Sequence, residues 1–435
     1  MTELFPPLSA GTRGMLRRLP GLIDRIFPLP GQYRAGLKYD VAELSRLLTS
    51  GREERGGSYL GKPALLSAYL RYFLPWNIYR LCRLFASLPL ELKPNDSVND
   101  FGTGPLTLAS ALWISRPDLR ALPLEFRCVD RTAAVLEAGK KFFAALSAET
   151  TGNAECPWTA RTIRGELQTR GLRTKSSRSS GSRGSGSRRG GALSVDIRGK
   201  RAALSAAVNV YNELFWNFSP RDTESLERFA ESQARLLSSL TDTGGSILVV
   251  EPGIPRSGEF ISLLRSSLME KGRAPLSPCT HSAQCPLPGG WAEAGGKPKA
   301  GIRARAGIRE RWCHFAFDTE DAPDELHKLS AAAGIPKERA VLSFIFAGPA
   351  SLSRETRLQR KREKIRIISD SFPVDEDTAQ KKNTWGRYGC CERGLVLVSG
   401  SREGLDASPS GALEELPLVK GAVDGKSGAL VAVKK

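Results

Sequence analysis

Ser97-Val98-Asn99-Asp100-Phe101-Gly102-Thr103-Gly104-Pro105 reads as a short strand that ends near an acidic residue, then a glycine turn, then a helix opened by Pro105 at its first position. Glycines let a backbone pass close to a ligand, and a helix N-terminus offers free amide donors. A dinucleotide-binding fingerprint would need a third glycine where Thr107 stands, so hydride-transfer chemistry is disfavoured. The next apolar run, Leu124 to Val129, ends at Cys128-Val129-Asp130. That places a carboxylate about one βαβ half-unit downstream, where it can accept bonds from both hydroxyls of a ribose.

Outward from this stretch, short apolar runs alternate with amphipathic ones. Val98–Phe101, Leu124–Val129, Ala203–Tyr211 and Ser246–Val250 read as strands; Pro105–Ile114, Thr132–Leu146, Thr223–Leu240 and Ser257–Glu270 read as helices. Strand and helix in alternation predict a parallel sheet covered by helices, because parallel neighbours need crossover connections. The fold class is therefore α/β and Rossmann-like. Tyr39–Leu48 and Pro63–Leu88 carry apolar residues at helical spacing and predict an N-terminal helical region over 1–92. The α/β domain is expected over 93–275, interrupted by a flexible Arg/Ser/Gly insertion at 170–191. A cysteine-containing loop region with the last part of the α/β domain is expected over 276–340. Val341–Phe346, Ile365–Ile368 and Leu395–Val398 predict a β-rich C-terminal part over 341–435, with a flexible tail.

With 435 residues, 40% hydrophobic and 25% charged, the chain is neither a small module nor wholly disordered. No window reaches the apolar length of a membrane span. The greasiest stretch, Leu65–Leu90, is broken by Arg71, Pro75, Arg80 and Arg83. The first 30 residues lack the pattern of a secretory signal, so neither secretion nor a membrane partner is expected. Net charge is +18, which attracts polyanions. Basic residues gather at Arg170–Arg189, at Arg303–Arg311, and at Arg354, Arg357, Arg360, Lys361, Arg362, Lys364 and Arg366. Three such segments in one chain point to phosphate contacts.

Eight cysteines are too few for a disulfide scaffold. Cys279 and Cys285 flank Thr280-His281-Ser282-Ala283-Gln284, Cys313 lies in Trp312-Cys313-His314-Phe315, and Cys390-Cys391 follow. Cys279, Cys285 and Cys313 stand among Pro, Gly and charged residues, a setting that suits a metal or a cluster. The paired C-x2-C spacing of zinc ribbons is missing. On residue chemistry alone an iron–sulfur cluster and zinc carry similar weight, with His281 and His314 as further zinc ligands.

An acidic residue ahead of Gly-x-Gly, followed by Asp130, resembles the class I S-adenosylmethionine-dependent methyltransferases. That resemblance implies that Gly102 and Gly104 border the methionine part of the cofactor, that Asp100 helps to hold it, and that Asp130 takes the ribose. More broadly, Leu66-Ser-Ala-Tyr-Leu-Arg-Tyr72 with Leu74-Pro75, Asp100–Pro105, Val250-Glu251-Pro252-Gly253, Cys279–Leu287 and Trp312–Phe315 are together similar to the methyltransferase-like small-ribosomal-subunit assembly factors, known in mitochondria and with bacterial relatives. The resemblance spans roughly residues 35 to 400. It implies a [4Fe–4S] cluster on Cys279, Cys285, Cys313 and Cys390, Cys390 being matched through a Cys-x3-Gly turn that ends at Gly394. It also implies binding to the rRNA of an immature small ribosomal subunit and not to DNA. The compartment implied is the cytoplasm of a bacterial type of cell, with the mitochondrial matrix as the alternative. Two features depart from the family pattern: the long Gly/Ala/Arg-rich stretch between Cys285 and Cys313, and the basic 170–191 loop.

A methyltransferase acceptor site would lie after the fourth strand, at Val210-Tyr211-Asn212-Glu213-Leu214-Phe215-Trp216. It lacks the Asn-Pro-Pro-Tyr type motif used on exocyclic amines of flipped bases, and no catalytic residue can be named. Three functions stay open: an rRNA-binding assembly factor, an active rRNA methyltransferase, and a non-catalytic RNA-binding scaffold with zinc in the cysteine site.

Overall fold

The computed structural model describes residues 3–51, 59–152, 155–168, 171–174, 201–216, 218, 222–287, 312–353, 362–374 and 384–434. The larger sheet contains β1 (Ser97–Phe101), β2 (Leu124–Asp130), β3 (Trp158–Gln168), β4 (Gly171–Thr174), β5 (Ala202–Val208), β6 (Thr241–Pro252), β7 (Arg273–Ser277), β8 (Phe315–Asp318) and β9 (Arg339–Pro349). Their order is β4-β3-β2-β1-β5-β6-β9-β7, with β8 paired to β9. The run β3-β2-β1-β5-β6 is parallel, and β9 is antiparallel to both β6 and β7. A parallel sheet with one antiparallel strand inserted near its edge is the class I methyltransferase architecture. The topological switch point, where ligands bind in open α/β sheets, lies at the carboxyl ends of β1 and β5.

Side-chain alternation assigns the two faces of this sheet. Val98, Phe126, Cys128, Leu248 and Val250 join one core with the N-terminal helices, whereas Phe101, Val129, Ile247 and Val249 join another. Thr107–Ser115 is buried on nearly every side because the helix Leu74–Phe85 covers its outer surface. On the opposite face the helices Thr223–Leu240 and Pro255–Glu270 pack together.

The second sheet contains β10 (Glu363–Ile367), β11 (Phe372–Pro373), β12 (Trp385–Cys391), β13 (Gly394–Gly400), β14 (Leu413–Leu416), β15 (Leu418–Val423) and β16 (Leu430–Val433), in the order β14-β10-β12-β13-β16-β15. Its own small core holds Ile365, Ile367, Cys391, Val396, Val398 and Leu405.

Several expectations change. Val341–Phe346 belongs to the larger sheet, where β9 pairs with β6 and β7, and not to the C-terminal part. The helix predicted from Pro105 begins at Thr107, because Leu106 sits at φ 56°, outside helical space. Gly171–Thr174, placed within the flexible insertion, forms a strand against β3; the rest of that insertion lies outside the described residues. Residues 413–433, expected as a tail, form three strands. The helix Ala10–Ile26, capped by the Ser9 hydroxyl, opens the expected N-terminal helical region, and the strand Trp158–Gln168 is an addition to the expected elements.

Arg71 and Arg83, which interrupt the greasiest stretch, are buried and paired. Arg71 meets Asp24, and Arg83 meets Asp321 at 2.9 Å while donating to the Phe5 carbonyl at 2.8 Å. Asp321 also accepts from the Leu8 amide at 3.1 Å, so one ion pair fastens the N-terminal segment to the chain after β8. No described helix is long and apolar enough to cross a membrane. Replacing Arg83 with Met should leave Asp321 buried without its cation, at a cost of about 3 kcal/mol. Urea unfolding should show an earlier first transition, and an unchanged midpoint would contradict the anchoring role.

Candidate functional site

The turn after β1 is shaped by three residues in left-handed conformation, Gly102 at φ 68°, Gly104 at φ 56° and Leu106 at φ 56°. A Cβ on Gly102 would lie 2.6 Å from Val210 Cγ2, so the turn and the loop after β5 close on each other with no room for a side chain. Gly139 performs the matching task behind the turn: a Cβ there would lie 2.5 Å from the Pro105 carbonyl carbon. The glycine turn is thus held from both sides.

The four residues assigned to cofactor binding, Asp100, Gly102, Gly104 and Asp130, line one cavity of about 740 Å³. This lies in the range of small-molecule sites. Asp130 accepts the Gly104 amide at 3.0 Å and the Thr132 amide at 2.9 Å, one on each oxygen, which leaves lone pairs directed to the cavity. Asp100 accepts the Thr103 hydroxyl, and burial pushes its carboxyl up to about 7. Arg131 and Glu213, an ion pair at 3.4 Å, and the exposed ring of Trp216 complete the side near Asp130. Tyr211 is buried instead, packed against Phe229 and Phe260, so it is not available to stack a substrate ring. The N-terminal helices close the cavity through Tyr69, whose segment Tyr69–Phe73 is wound as a π-helix.

Glu251, quoted above only as part of a motif, has a structural task that the sequence did not reveal. Its side chain is fully buried and accepts three amides, Val210 at 3.2 Å, Tyr211 at 2.8 Å and Asn212 at 3.1 Å. It thereby holds the loop that closes on Gly102. Burial outweighs the three amides and pushes its carboxyl up to about 8.

The second candidate site lies at the seam between the two sheets. Cys279, Cys285, Cys313 and Cys390 line one small void together with Arg265, His281, Leu287, Phe315 and Arg366. None of the eight cysteines is in a disulfide. Burial raises the Cys279, Cys313 and Cys390 thiols, and neighbouring thiols add to this, so a bound metal would have to displace protons. Among the described residues no three His, Cys, Asp or Glu side chains are grouped to hold a metal ion. His281 has both ring nitrogens buried without a hydrogen-bond partner. His314 turns away, with Nδ1 at 3.1 Å from the Trp312 carbonyl and its ring stacked on Trp312.

Neighbouring side chains clamp the cysteine loop. Arg265 donates to the carbonyls of His281 at 2.9 Å and Ala283 at 2.7 Å, and Arg366 donates to those of Pro278 at 2.9 Å and Gly411 at 2.7 Å. Arg366 is therefore buried at this seam, which corrects its placement among solvent-facing phosphate contacts. The carbonyl acceptors offset the cost of desolvating the guanidinium, which is buried and so not presented to a phosphate in solution. Arg303–Arg311 and Arg354–Lys361 lie outside the described residues. Trp312 Nε1 donates to the Gly253 carbonyl at 3.0 Å, and Ser343 Oγ donates to the Cys313 carbonyl at 2.7 Å. The strand end that carries Glu251 thus also positions Cys313.

No protein-family model matches the sequence, and no curated protein matches it either. Solved structures similar in fold include a putative methyltransferase from Thermoplasma acidophilum, at 11% identity over 61% of this chain and 74% of that chain, with a TM-score of 0.27. A methyltransferase from Pyrococcus furiosus matches at 10% identity, 42% and 68% coverage and a TM-score of 0.26. A geranyl diphosphate methyltransferase solved with its substrate and sinefungin matches at 10%, 67% and 84%, with a TM-score of 0.29. The fold assignment itself rests on strand order and direction.

The raised carboxyls of Asp100 and Glu251 bind protons more tightly folded than unfolded, so stability must fall as pH rises through the window below their folded values. Between pH 6.5 and 8 the loss should be about 1–2 kcal/mol, most of it from Glu251, whose ordinary value is 4.5. Thermal unfolding across that window should show a falling midpoint for the wild type and a flatter profile for Glu251→Gln. A wild-type midpoint that rises instead would refute the burial argument. Gly102→Ala should strain the turn by roughly 1–3 kcal/mol and weaken any ligand held there.

Proposed function

We propose that this chain is an rRNA-binding assembly factor of the small ribosomal subunit, with S-adenosylmethionine held at the glycine turn and a structural [4Fe–4S] cluster on Cys279, Cys285, Cys313 and Cys390. The observation that carries the reading is that four thiols, contributed by the loop after β7, the segment before β8 and the strand β12, ring one void at the seam of the two sheets. Four thiols on one void without the paired C-x2-C spacing of zinc ribbons suit a polynuclear cluster. Arg265 and Arg366 would offset the negative charge of thiolate ligation. When bound, the cluster supplies a cross-link that no pair of residues here supplies, tying the loop after β7 and the segment before β8 to β12. Losing it should loosen the seam and the RNA-facing surface that spans it.

For the cofactor, Asp130 would accept the ribose hydroxyls, the bare backbone at Gly102 and Gly104 would pass the methionine part, and Asp100 would border it. The net charge of +18 supports a polyanionic partner. The setting implied is the compartment where small subunits are assembled, the cytoplasm of a bacterial type of cell or, as the alternative, the mitochondrial matrix. A second reading, an active rRNA methyltransferase, is favoured by the cavity's continuation past Gly104 to Trp216 and Lys337, which leaves space for an acceptor. Methyl transfer of this kind needs chiefly positioning, so the lack of a nameable base does not weigh against it.

Anaerobic purification should give brown protein absorbing near about 400 nm, with iron and sulfide in equal amounts. Cys279→Ser should remove the colour, whereas Cys391→Ser should keep it, because Cys391 is buried in the other sheet's core. Colourless protein containing zinc would support the scaffold reading and overturn the cluster. Asp100→Ala separates factor from enzyme. Unchanged rRNA modification with defective small subunits is the expected result, and loss of one modified nucleotide would establish the methyltransferase.

A further inference from the structure

Beyond Gly104 the cavity has a second wall that the cofactor reading leaves unused. Tyr69, Tyr72, Trp76, Asn77 and Arg80 reach it from the N-terminal helices, and Lys337 reaches it from the turn before β9. The Lys337 ammonium lies 5.8 Å from the centre of the Tyr72 ring and 5.9 Å from that of Trp76. Arg80 donates to Asn77 Oδ1. Among the described residues neither cation has a carboxylate partner. The other cations of the cavity differ: Arg131 pairs with Glu213, and Arg339 meets both oxygens of Asp370 at 2.7 and 2.8 Å.

Two like charges half-buried in one wall, without a counter-ion, raise each other's free energy. Burial and the field of Arg80 bring the Lys337 ammonium down to about 8. Tyr69, on the same cavity, feels the charges of Glu213 and Asp130 as well as that of Arg80. The cavity thus carries Asp130 at the glycine turn, and Arg80 and Lys337 on the wall made by the N-terminal helices and the turn before β9. A phosphate anion seated between Arg80 and Lys337 would relieve their repulsion. A fork of guanidinium donors with an ammonium beside it matches phosphate oxygens.

We propose that Arg80 and Lys337 form a phosphate-binding subsite in the acceptor half of this cavity, which takes a nucleotide phosphate of the bound RNA strand. The inference rests on the RNA-binding reading for the source of that phosphate, and on the cavity wall alone for the phosphate itself. A free nucleoside monophosphate offers the same chemistry, so both are tested on the full chain.

The double variant Arg80→Gln/Lys337→Met keeps most of the side-chain bulk, and its folding is checked by its unchanged circular dichroism. Binding of a short single-stranded RNA is measured against salt concentration, S-adenosylmethionine binding by calorimetry, and protection by AMP by thermal shift. The expected result is at least about a tenfold loss of RNA affinity and a log–log salt slope shallower by about 1–2, with S-adenosylmethionine affinity unchanged. Lys337→Arg alone should retain RNA binding. Wild-type protein that ignores RNA but is protected by AMP, with protection lost in the double variant, would uphold the subsite and refute the RNA reading. RNA affinity and slope unchanged in the double variant would overturn the subsite. So would a tenfold loss of S-adenosylmethionine affinity, which would assign the pair to the cofactor's carboxylate, or a wild type bound by neither RNA nor AMP.

Discussion

The buried carboxylate of Glu251 is the constraint on which both sites depend. It sits at the end of the central strand β6, where three amides from residues 210–212 converge on it. Those amides belong to the loop whose Val210 side chain closes against Gly102, so the width of the glycine turn is set from the end of β6. Two residues further, the Gly253 carbonyl receives Trp312 Nε1 and its α-carbon packs against Val341, leaving no space for a side chain. One strand end therefore shapes the ligand cavity on one side and places Cys313 on the other. A buried carboxylate is costly unless hydrogen-bonded, and here the three amides offset much of that cost while fixing the geometry.

Buried arginines serve the same end at the seam of the sheets. Arg265 and Arg366 donate to backbone carbonyls of the cysteine loop, and Arg273 does likewise to the carbonyls of Thr241, Asp242 and Gly245 at the start of β6. A planar guanidinium can satisfy several carbonyls at once and so orders irregular backbone that no strand pairs. These few buried arginines are thus internal scaffolding. The pair at Arg80 and Lys337 stands apart because it has rings behind it and a cavity in front, with no acceptor set of this kind.

The pair Cys390-Cys391 illustrates what strand geometry adds to a motif. Successive residues on β12 point to opposite faces, so Cys390 enters the void between the sheets while Cys391 enters the small core with Ile365 and Val396. Composition treats the two thiols as equivalent; the pleat does not.

The alternating pattern from Ser97 to Glu270 was enough to determine an α/β fold with its glycine turn and Asp130, because local periodicity and turn chemistry are written in neighbouring residues. The order β6-β9-β7 was not legible. Val341–Phe346 looks like any buried strand, and whether it joins one sheet or the other depends on pairing partners about a hundred residues away. The role of Glu251, the burial of Arg366, and the meeting of Arg80 with Lys337 across more than 250 residues were likewise decided by tertiary structure alone. Each is a contact between segments that share no local signal, created only when the chain's packing brings them to one place.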